Sequence, residues 1–357
     1  IGFHGLEHRE CSLNGVKADE LRNADWDDKR VVYLLPHEFA HAWCGKYRRP
    51  AGMYKDNFMD TKRTDLLWVY EGMTQYLGYL LAVRCGYADS LKFVDDLAGD
   101  ITGLILMKGR EWRPLRDTEV SAYTLRGGSD HWAYLRRSQD YYREGAVFFF
   151  EINAMLRNLT DGQKSLDDFC RSFFAPREPD APARPFTREE VVTELAALAP
   201  YNWDSLIEAR VYQTQERFAP TVAEALGYRL EYTTEAPARY GKWEKRYHGT
   251  YFLESLGLSL SSAGQITSLV PGSPADNAGL AQNNTVIGVE GKKYSAKRLE
   301  DAVRNTATSG AVNLLVLNGE TYKEVVIPYD GGLRYYTLIR RDDAPDRLME
   351  ILRPLTE

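Results

Sequence analysis

The sequence has no long hydrophobic run and little excess charge of either sign. No segment approaches the ~20 uninterrupted apolar residues that a membrane-spanning helix needs, so we expect no membrane span. The formal net charge is -6 over 357 residues, and the absence of a long basic run argues against nucleic acid as a partner. The remaining composition, 44% hydrophobic and 27% charged, is typical of a soluble globular protein with two or three domains.

Cysteine is scarce, and the chain does not begin with methionine. The four cysteines are widely spaced without a CxxC pair, which indicates buried thiols or at most one or two disulfides; they are Cys11, Cys44, Cys85 and Cys170. Because the chain begins with Ile1, we expect a signal peptide, a pro-segment or a domain upstream. The missing methionine favours a periplasmic or secreted location.

Apolar residues recur at helical spacing through roughly the first 245 residues. Helices are predicted over about 27–46, 65–85, 90–108 and 140–159, with a loop-rich stretch at 110–140. Asp25, Asp27 and Asp28 are suitable capping and first-turn residues for the first helix. Pro36 should kink this helix or begin a new one, because proline cannot donate to the carbonyl of Val32.

The residue pattern changes after about residue 245. Short β-type runs such as SLGLSL, VIGVEG and KEVVIP alternate with turns, and one helix, SAKRLEDAVRNT, lies among them. This pattern predicts a small β-rich module. We therefore divide the chain into segments 1–160, 161–244, 245–332 and a tail, 333–357.

The stretch PHEFAHAW contains a His-Glu-x-x-His motif. Residues four apart share a helix face, so His37 and His41 can bind one ion, while Glu38 flanks it as a base for metal-bound water. On the order of 0.007 chance matches are expected in a chain with six histidines. The alternative is an amphipathic helix with two surface histidines.

A catalytic zinc needs a third protein ligand and one open position. Glu71 stands out because it lies on an otherwise apolar, aromatic helix in WVYEGMTQY. A buried carboxylate there would cost several kcal/mol unless it were paired or bound to metal. The alternative is an exposed polar position. Gln75 could contact a ligand histidine, although an exposed glutamine fits the pattern better.

HEFAHAW followed by LWVYEGMTQY resembles a gluzincin metallopeptidase. The segments GLEH, HEFAHAWCGKYRRPAGM and DYYREGAVFFFEINAMLR, with a β-rich C-terminal module, resemble the glycyl aminopeptidase family. The resemblance implies an α+β fold: a mainly helical, thermolysin-like catalytic domain over 1–160 with a helical continuation over 161–244, then a PDZ-like domain over 245–332.

The same resemblance implies residue roles. His37, His41 and Glu71 would hold one Zn²⁺, and Glu38 would be the general base. Tyr142 would donate a hydrogen bond to the oxyanion, with Tyr141 as the alternative. Glu7 would anchor the substrate ammonium, with His8 beside it.

The chain departs from the family pattern in several places. His4 and Cys44 replace a usual Gly and Asn, and Glu144 replaces a Lys whose loss would weaken anion stabilisation if that position faces the substrate. The family's N-terminal β domain and the upstream strands of its catalytic sheet are not in this sequence. An open sheet edge is a liability, so we expect the full-length protein to contain them.

ESLGLSLSSAGQITSLV followed by PGSPADNAGL resembles a PDZ domain. Leu256, Gly257 and Leu258 would form the loop that captures a peptide C-terminus, and the peptide strand would lie along Ser259 and Leu260. Asn283-Asn284 replaces a usual Gly-Asp in a turn of this module. The alternative is a module that only braces the catalytic domain.

Together these features predict a zinc aminopeptidase that removes N-terminal residues from peptides with a free N-terminus. The family implies a preference for small residues such as Gly and Ala. Two alternatives stay open: an endopeptidase with the same metal centre, and a non-hydrolytic scaffold that binds peptides through the PDZ-like module.

Overall fold

The computed structural model describes residues 3–18, 31–126, 131–174, 181–214 and 219–355. The helices are α1 Val31–Ala40, α2 Thr74–Arg84, α3 Ser90–Leu106, α4 Leu115–Val120, α5 Ala122–Leu125, α6 Ala133–Arg136, α7 Arg143–Leu159, α8 Leu166–Phe173, α9 Arg188–Leu198, α10 Trp203–Ile207, α11 Ala219–Ala225, α12 Ala238–Tyr247, α13 Pro274–Asn277, α14 Ala296–Ser309 and α15 Arg347–Leu352. The strands are β1 His4–Glu7, β2 Ser12–Gly15, β3 Arg48–Pro50, β4 Arg184–Phe186, β5 Tyr228–Thr233, β6 Gly249–Phe252, β7 Leu258–Ser261, β8 Ile266–Leu269, β9 Thr285–Val289, β10 Lys292–Lys293, β11 Ala311–Asn318, β12 Thr321–Pro328 and β13 Tyr335–Arg340.

The first predicted helix is shorter than expected where it can be followed. α1 ends at Ala40, and Pro36 lies inside it instead of at its start. The capping residues Asp25, Asp27 and Asp28 lie outside the described residues. The stretch 110–140, expected to be loop-rich, contains the short helices α4, α5 and α6.

The second predicted helix begins as a π-helical segment, Trp68–Met73, and continues as α2. This segment crosses α7 at two glycines. A Cβ on Gly72 would lie 2.7 Å from the Cα of Gly145, and the reverse distance is also 2.7 Å. Only glycine permits this approach, so these two residues bring the π-helical segment and the start of α7 together.

The main hydrophobic core is built around α7 and the π-helical segment. Trp68 is fully buried and stacks on Phe149 with ring centroids 5.5 Å apart. The four cysteines are free; Cys44 is buried in this core, whereas Cys11 and Cys85 are exposed. Two of the thiols expected to be buried are therefore at the surface.

A second hydrophobic cluster involves residues from Tyr240 to Tyr335. Its strands form a four-stranded sheet in the order β10-β9-β11-β12 and a three-stranded sheet in the order β6-β7-β8. Leu299, Ala302 and Val303 of α14 pack into this cluster. The β-rich module predicted from the turn pattern therefore has a core of its own.

The segment 333–357 is not a free tail. β13 pairs along its length with β5, and α15 buries Leu348 and Ile351 completely in the main core. The carbonyl of Ile351 accepts a hydrogen bond from Arg84 on α2. This packing was not predicted, because short apolar periods such as RLMEIL do not reveal a distant packing partner.

None of the described helices is long and apolar enough to cross a membrane.

Candidate metal centre

Three side chains converge where α1 faces the π-helical segment. The Nε2 atoms of His37 and His41 lie 3.1 Å apart, and they lie 3.4 Å and 3.3 Å from Oε2 of Glu71. Tetrahedral zinc with metal–ligand bonds of ~2.0–2.2 Å places neighbouring ligand atoms about 3.3–3.6 Å apart. The three donor atoms therefore have nearly the spacing that one zinc ion requires.

The chemistry of these groups also fits a metal. Oε2 of Glu71 is buried and has no hydrogen-bond partner among the described residues. Burial alone would raise the pKa of Glu71, but His41 and His37 hold it below its ordinary value. The carboxylate is therefore ionised and aimed at two imidazoles, which is a typical His₂Glu donor set for catalytic zinc.

The local structure explains how these ligands are oriented. Nδ1 of His41 lies 2.9 Å from the carbonyl oxygen of Cys44, which fixes the ring so that Nε2 faces the centre. The hydroxyl of Thr74 donates to the carbonyl of Tyr70 and lies 3.5 Å from the same Nδ1. From the sequence, Gln75 was one possible contact for a ligand histidine. The group that contacts Nδ1 of His41 is instead the backbone carbonyl of Cys44, and no side-chain pattern in the sequence indicates this contact.

Glu38 is buried beside the three ligands. A Cβ on Gly5 would lie 1.9 Å from Oε1 of Glu38, so β1 passes directly over this carboxylate. Burial raises the pKa of Glu38 to about 7; His41 opposes this shift, and Glu7 and Glu71 add to it. A carboxyl group with this pKa can accept and return a proton near neutral pH.

Glu7 lies at the His41 side of the centre. A ligand atom from each of Glu7, Glu38 and His41 lies within 4.8 Å of the others. The hydroxyl of Tyr70 donates to Oε1 of Glu7 at 2.5 Å, and Nζ of Lys46 lies 3.2 Å from the same atom. Although burial raises the pKa of Glu7, His41, Tyr70 and Lys46 hold it below the ordinary value, so Glu7 is ionised.

His8, predicted beside Glu7, follows the end of β1 and is exposed. Its backbone N–H donates to the carbonyl of Cys11. Sequence reasoning did not identify Tyr70 and Lys46. A tyrosine directly before a candidate ligand could have suggested Tyr70, but Lys46 becomes visible only in three dimensions.

Tyr142 lies at the His37 side of the centre. Its ring centroid is 6.0 Å from that of His37. Burial, Glu71 and Tyr141 raise the pKa of Tyr142 well above its ordinary value, so its phenol keeps the proton and can donate. The hydroxyl of the alternative, Tyr141, accepts a hydrogen bond from Gln139 and its side chain is buried. The geometry favours Tyr142.

Glu144 does not face the metal centre. It is buried and forms ion pairs with Arg110, at 2.8 Å, and with Arg137. The expected loss of a substrate-facing cation at this position therefore does not apply. Cys44 is also structural: burial raises the pKa of its thiol to about 12, and the thiol donates to the carbonyl of Val69.

One family model matches the part of the chain that contains most of this centre. Residues 30–148 match the model of the M61 glycyl aminopeptidases. The resemblance is confirmed over this segment, which contains α1, the π-helical segment and the start of α7. The matched segment is glycyl aminopeptidase-like, and the match supports a peptidase.

A solved structure from Idiomarina loihiensis, described as an aminopeptidase N family protein, is similar in fold with a TM-score of 0.72 at 17% sequence identity. The alignment covers 99% of this chain and 60% of the other, so this chain spans about 60% of the length of that protein. A search of curated proteins gives no match.

The loop predicted to capture a peptide C-terminus is already occupied. The backbone N–H groups of Leu256 and Gly257 donate to the carbonyl of Phe252 at 2.9 Å and 2.8 Å. Leu258 begins β7, whose edges pair with β6 on one side and β8 on the other. The expected open edge along Ser259 and Leu260 is therefore paired with the chain itself, and the loop amides have partners.

Proposed function

We propose that this protein is a zinc-dependent aminopeptidase that hydrolyses the N-terminal peptide bond of peptides. One observation carries the proposal: three donor atoms at the spacing of a single zinc ion lie between a buried carboxyl group and an ionised one. Zinc held by His37, His41 and Glu71 would polarise the scissile carbonyl and lower the pKa of a bound water.

The chain's own residues supply the rest of the chemistry. Glu38 takes a proton from the attacking water and returns it to the leaving amine, a role that suits its pKa of about 7. The phenol of Tyr142 donates to the developing oxyanion. The carboxylate of Glu7 accepts the substrate ammonium, which places the N-terminal residue at the His41 side.

The preference that we propose is for small N-terminal residues, Gly and Ala, in keeping with the matched family's description. The test is the hydrolysis of Gly-, Ala-, Leu- and Phe-anilides together with zinc content per chain. We expect one zinc, turnover of the Gly and Ala substrates, and loss of turnover with a chelator.

The Glu38→Gln variant isolates the chemical step. It should keep its zinc and lose about 10²- to 10⁴-fold in kcat, because the base is removed while the ligands stay. If the wild type shows no turnover, or if Glu38→Gln is as active as wild type, the aminopeptidase proposal is wrong and a peptide-binding scaffold is favoured.

N-acetylated peptides separate the two peptidase alternatives. An aminopeptidase should not cleave them, because they lack the ammonium that Glu7 binds. Cleavage of acetylated substrates at rates similar to the free peptides would identify an endopeptidase.

A further inference from the structure

A cavity of about 600 Å³ opens between the catalytic helices and the segment that leads into the C-terminal module. Its walls come from α1, α2, α3, the start of α7, α12 and β6. Its lining includes Tyr33, Arg143, Lys242, Trp243, Tyr247 and Tyr251. The residues to which roles at the metal centre are assigned above do not line this cavity.

Contacts along α1 indicate in which direction a bound peptide would cross the metal centre. Glu7 lies near His41, Gly5 packs on Glu38, and Tyr142 lies beside His37. β1 therefore runs in the same direction as α1. With the substrate ammonium at Glu7, the part of the peptide beyond the scissile bond passes His37 towards the N-terminal end of α1.

The cavity lies in that direction. Tyr33 precedes His37 by one helical turn, about 6 Å along the axis, and Arg143 directly follows Tyr142. Both residues line the cavity. An extended peptide advances about 3.3 Å per residue, so the second residue beyond the scissile bond reaches this distance.

The lining indicates the chemistry of the occupant. Among the described residues, four cationic side chains and two carboxylates, Asp96 and Asp100, line the cavity. Both carboxylates already have partners: the hydroxyl of Tyr33 donates to Asp96 at 3.1 Å, and that of Tyr79 donates to Asp100 at 3.1 Å. Arg143 and Lys242 pair with the same two residues.

The cavity-lining cation Lys245 lies on α12 together with Trp243 and Tyr247. A wall of aromatic rings with an excess of positive charge suits an aromatic side chain next to a carboxylate.

We propose that this cavity binds the leaving part of the substrate and favours short peptides that end in an aromatic residue with a free carboxylate. The inference rests on the proposed aminopeptidase function. It names a substrate class that the metal centre alone does not select.

The test compares Gly-Gly-Phe with Gly-Gly-Ala and with the C-terminal amide of Gly-Gly-Phe, using Gly-anilide as the reference without a peptide leaving group. We expect kcat/KM to be about fivefold or more higher for Gly-Gly-Phe than for the other two peptides. Equal values for the three peptides would overturn the proposal.

Tyr247 and Lys245 are exposed residues of the cavity wall, and their alanine variants test the aromatic and the charged part of the proposal separately. Tyr247→Ala should lower kcat/KM for Gly-Gly-Phe about fivefold, and Lys245→Ala should lower it by a similar factor only when the carboxylate is free. Gly-anilide turnover should not change. Tyr322→Ala and Lys292→Ala, exposed residues away from this cavity, are the controls. Equal losses on anilide and peptide, or no loss, would contradict the assignment.

A binding measurement separates failure of this inference from failure of the proposed function. Glu38→Gln should bind Gly-Gly-Phe, whose Phe is the second residue beyond the scissile bond, and calorimetry should show that adding Tyr247→Ala weakens this binding about fivefold. If wild type turns over no substrate, the aminopeptidase proposal fails. If turnover is normal but Glu38→Gln binds Gly-Gly-Phe equally with and without Tyr247→Ala, only the cavity assignment fails.

Discussion

Glu7 is held ionised by three neighbours, and its position at the His41 side decides which end of a peptide enters first. Glu7→Gln removes the charge that faces the substrate ammonium but keeps the shape of the side chain. We expect kcat/KM for Gly-anilide to fall about 10- to 100-fold, mainly through KM, because a charge-assisted hydrogen bond is lost.

Steady-state kinetics with Glu10→Gln as the control measure this effect. Glu10 is an exposed acid in the same segment, so its variant should behave as wild type. An unchanged KM in Glu7→Gln would refute the anchoring role.

Glu119 is a fully buried carboxyl group outside the metal centre. It accepts a hydrogen bond from the backbone N–H of Trp68 at 2.7 Å. Burial raises its pKa well above the ordinary value, and Asp65 adds to the shift. The folded state therefore holds this proton more tightly than the unfolded state does, so the contribution to stability is present at low pH and is lost as pH rises towards the folded pKa.

Glu119→Gln should remove that dependence. Urea unfolding at pH 5 and pH 8 should show a smaller decrease in the free energy of unfolding for the variant than for wild type. The exposed Glu111→Gln variant is the control. The same decrease in wild type and Glu119→Gln would mean that Glu119 is ionised in the folded protein.

Among the individual site residues, the sequence predicted those that lie close together in the chain or on a single helix. His37, Glu38 and His41 follow from helix geometry, and Glu71 follows from the cost of burying a carboxylate among aromatic residues. The cation Lys46 and the carbonyl of Cys44 could not be predicted, because their roles depend on how the chain turns after α1. Glu144 was misjudged because its two arginine partners are 34 and 7 residues away.

The contact between the π-helical segment and α7 depends on two glycines. Gly72→Ala and Gly145→Ala each place a Cβ 2.7 Å from backbone atoms of the other element, where no flexible side chain can move aside. We expect each variant to lose about 1–3 kcal/mol in the free energy of unfolding and to separate Glu71 from Tyr142, with a loss of activity.

Gly241→Ala is the matched control, since a Cβ there meets nothing within 4 Å. It lies inside α12 and should gain about 0.5–1 kcal/mol. Chemical denaturation with activity measured on the same samples tests both expectations. A stable and active Gly145→Ala variant would show that the two elements can move apart.

Elements made of local patterns were predicted well, and elements that depend on distant pairing were not. α7 was expected over 140–159 and is Arg143–Leu159. The pairing of β6 with β7 was missed, because four-residue strands carry little information about which edge they join. For the same reason the sequence could not indicate that the predicted peptide edge is already paired.

The C-terminal segment packs back onto the main hydrophobic core. α15 packs on α2 and α7, and two of its side chains are completely buried. A chain truncated after Asp342 should lose cooperative thermal unfolding and activity, because the main core loses the apolar surface that α15 buries against α2 and α7.

Truncation after Pro354 is the control, since Leu355 is exposed. Differential scanning calorimetry and Gly-anilide hydrolysis report both outcomes. Normal stability after removal of α15 would show that this helix is only an appendage.

β6 contributes both to the cavity beside α12 and to the C-terminal module. Tyr251 lines the cavity wall, and the same strand covers the edge of β7 where a peptide would add. A peptide terminus that paired with β7 would have to displace β6 and take Tyr251 with it. Ligands at the two places would therefore be thermodynamically linked, each weakening the affinity of the other by the same factor.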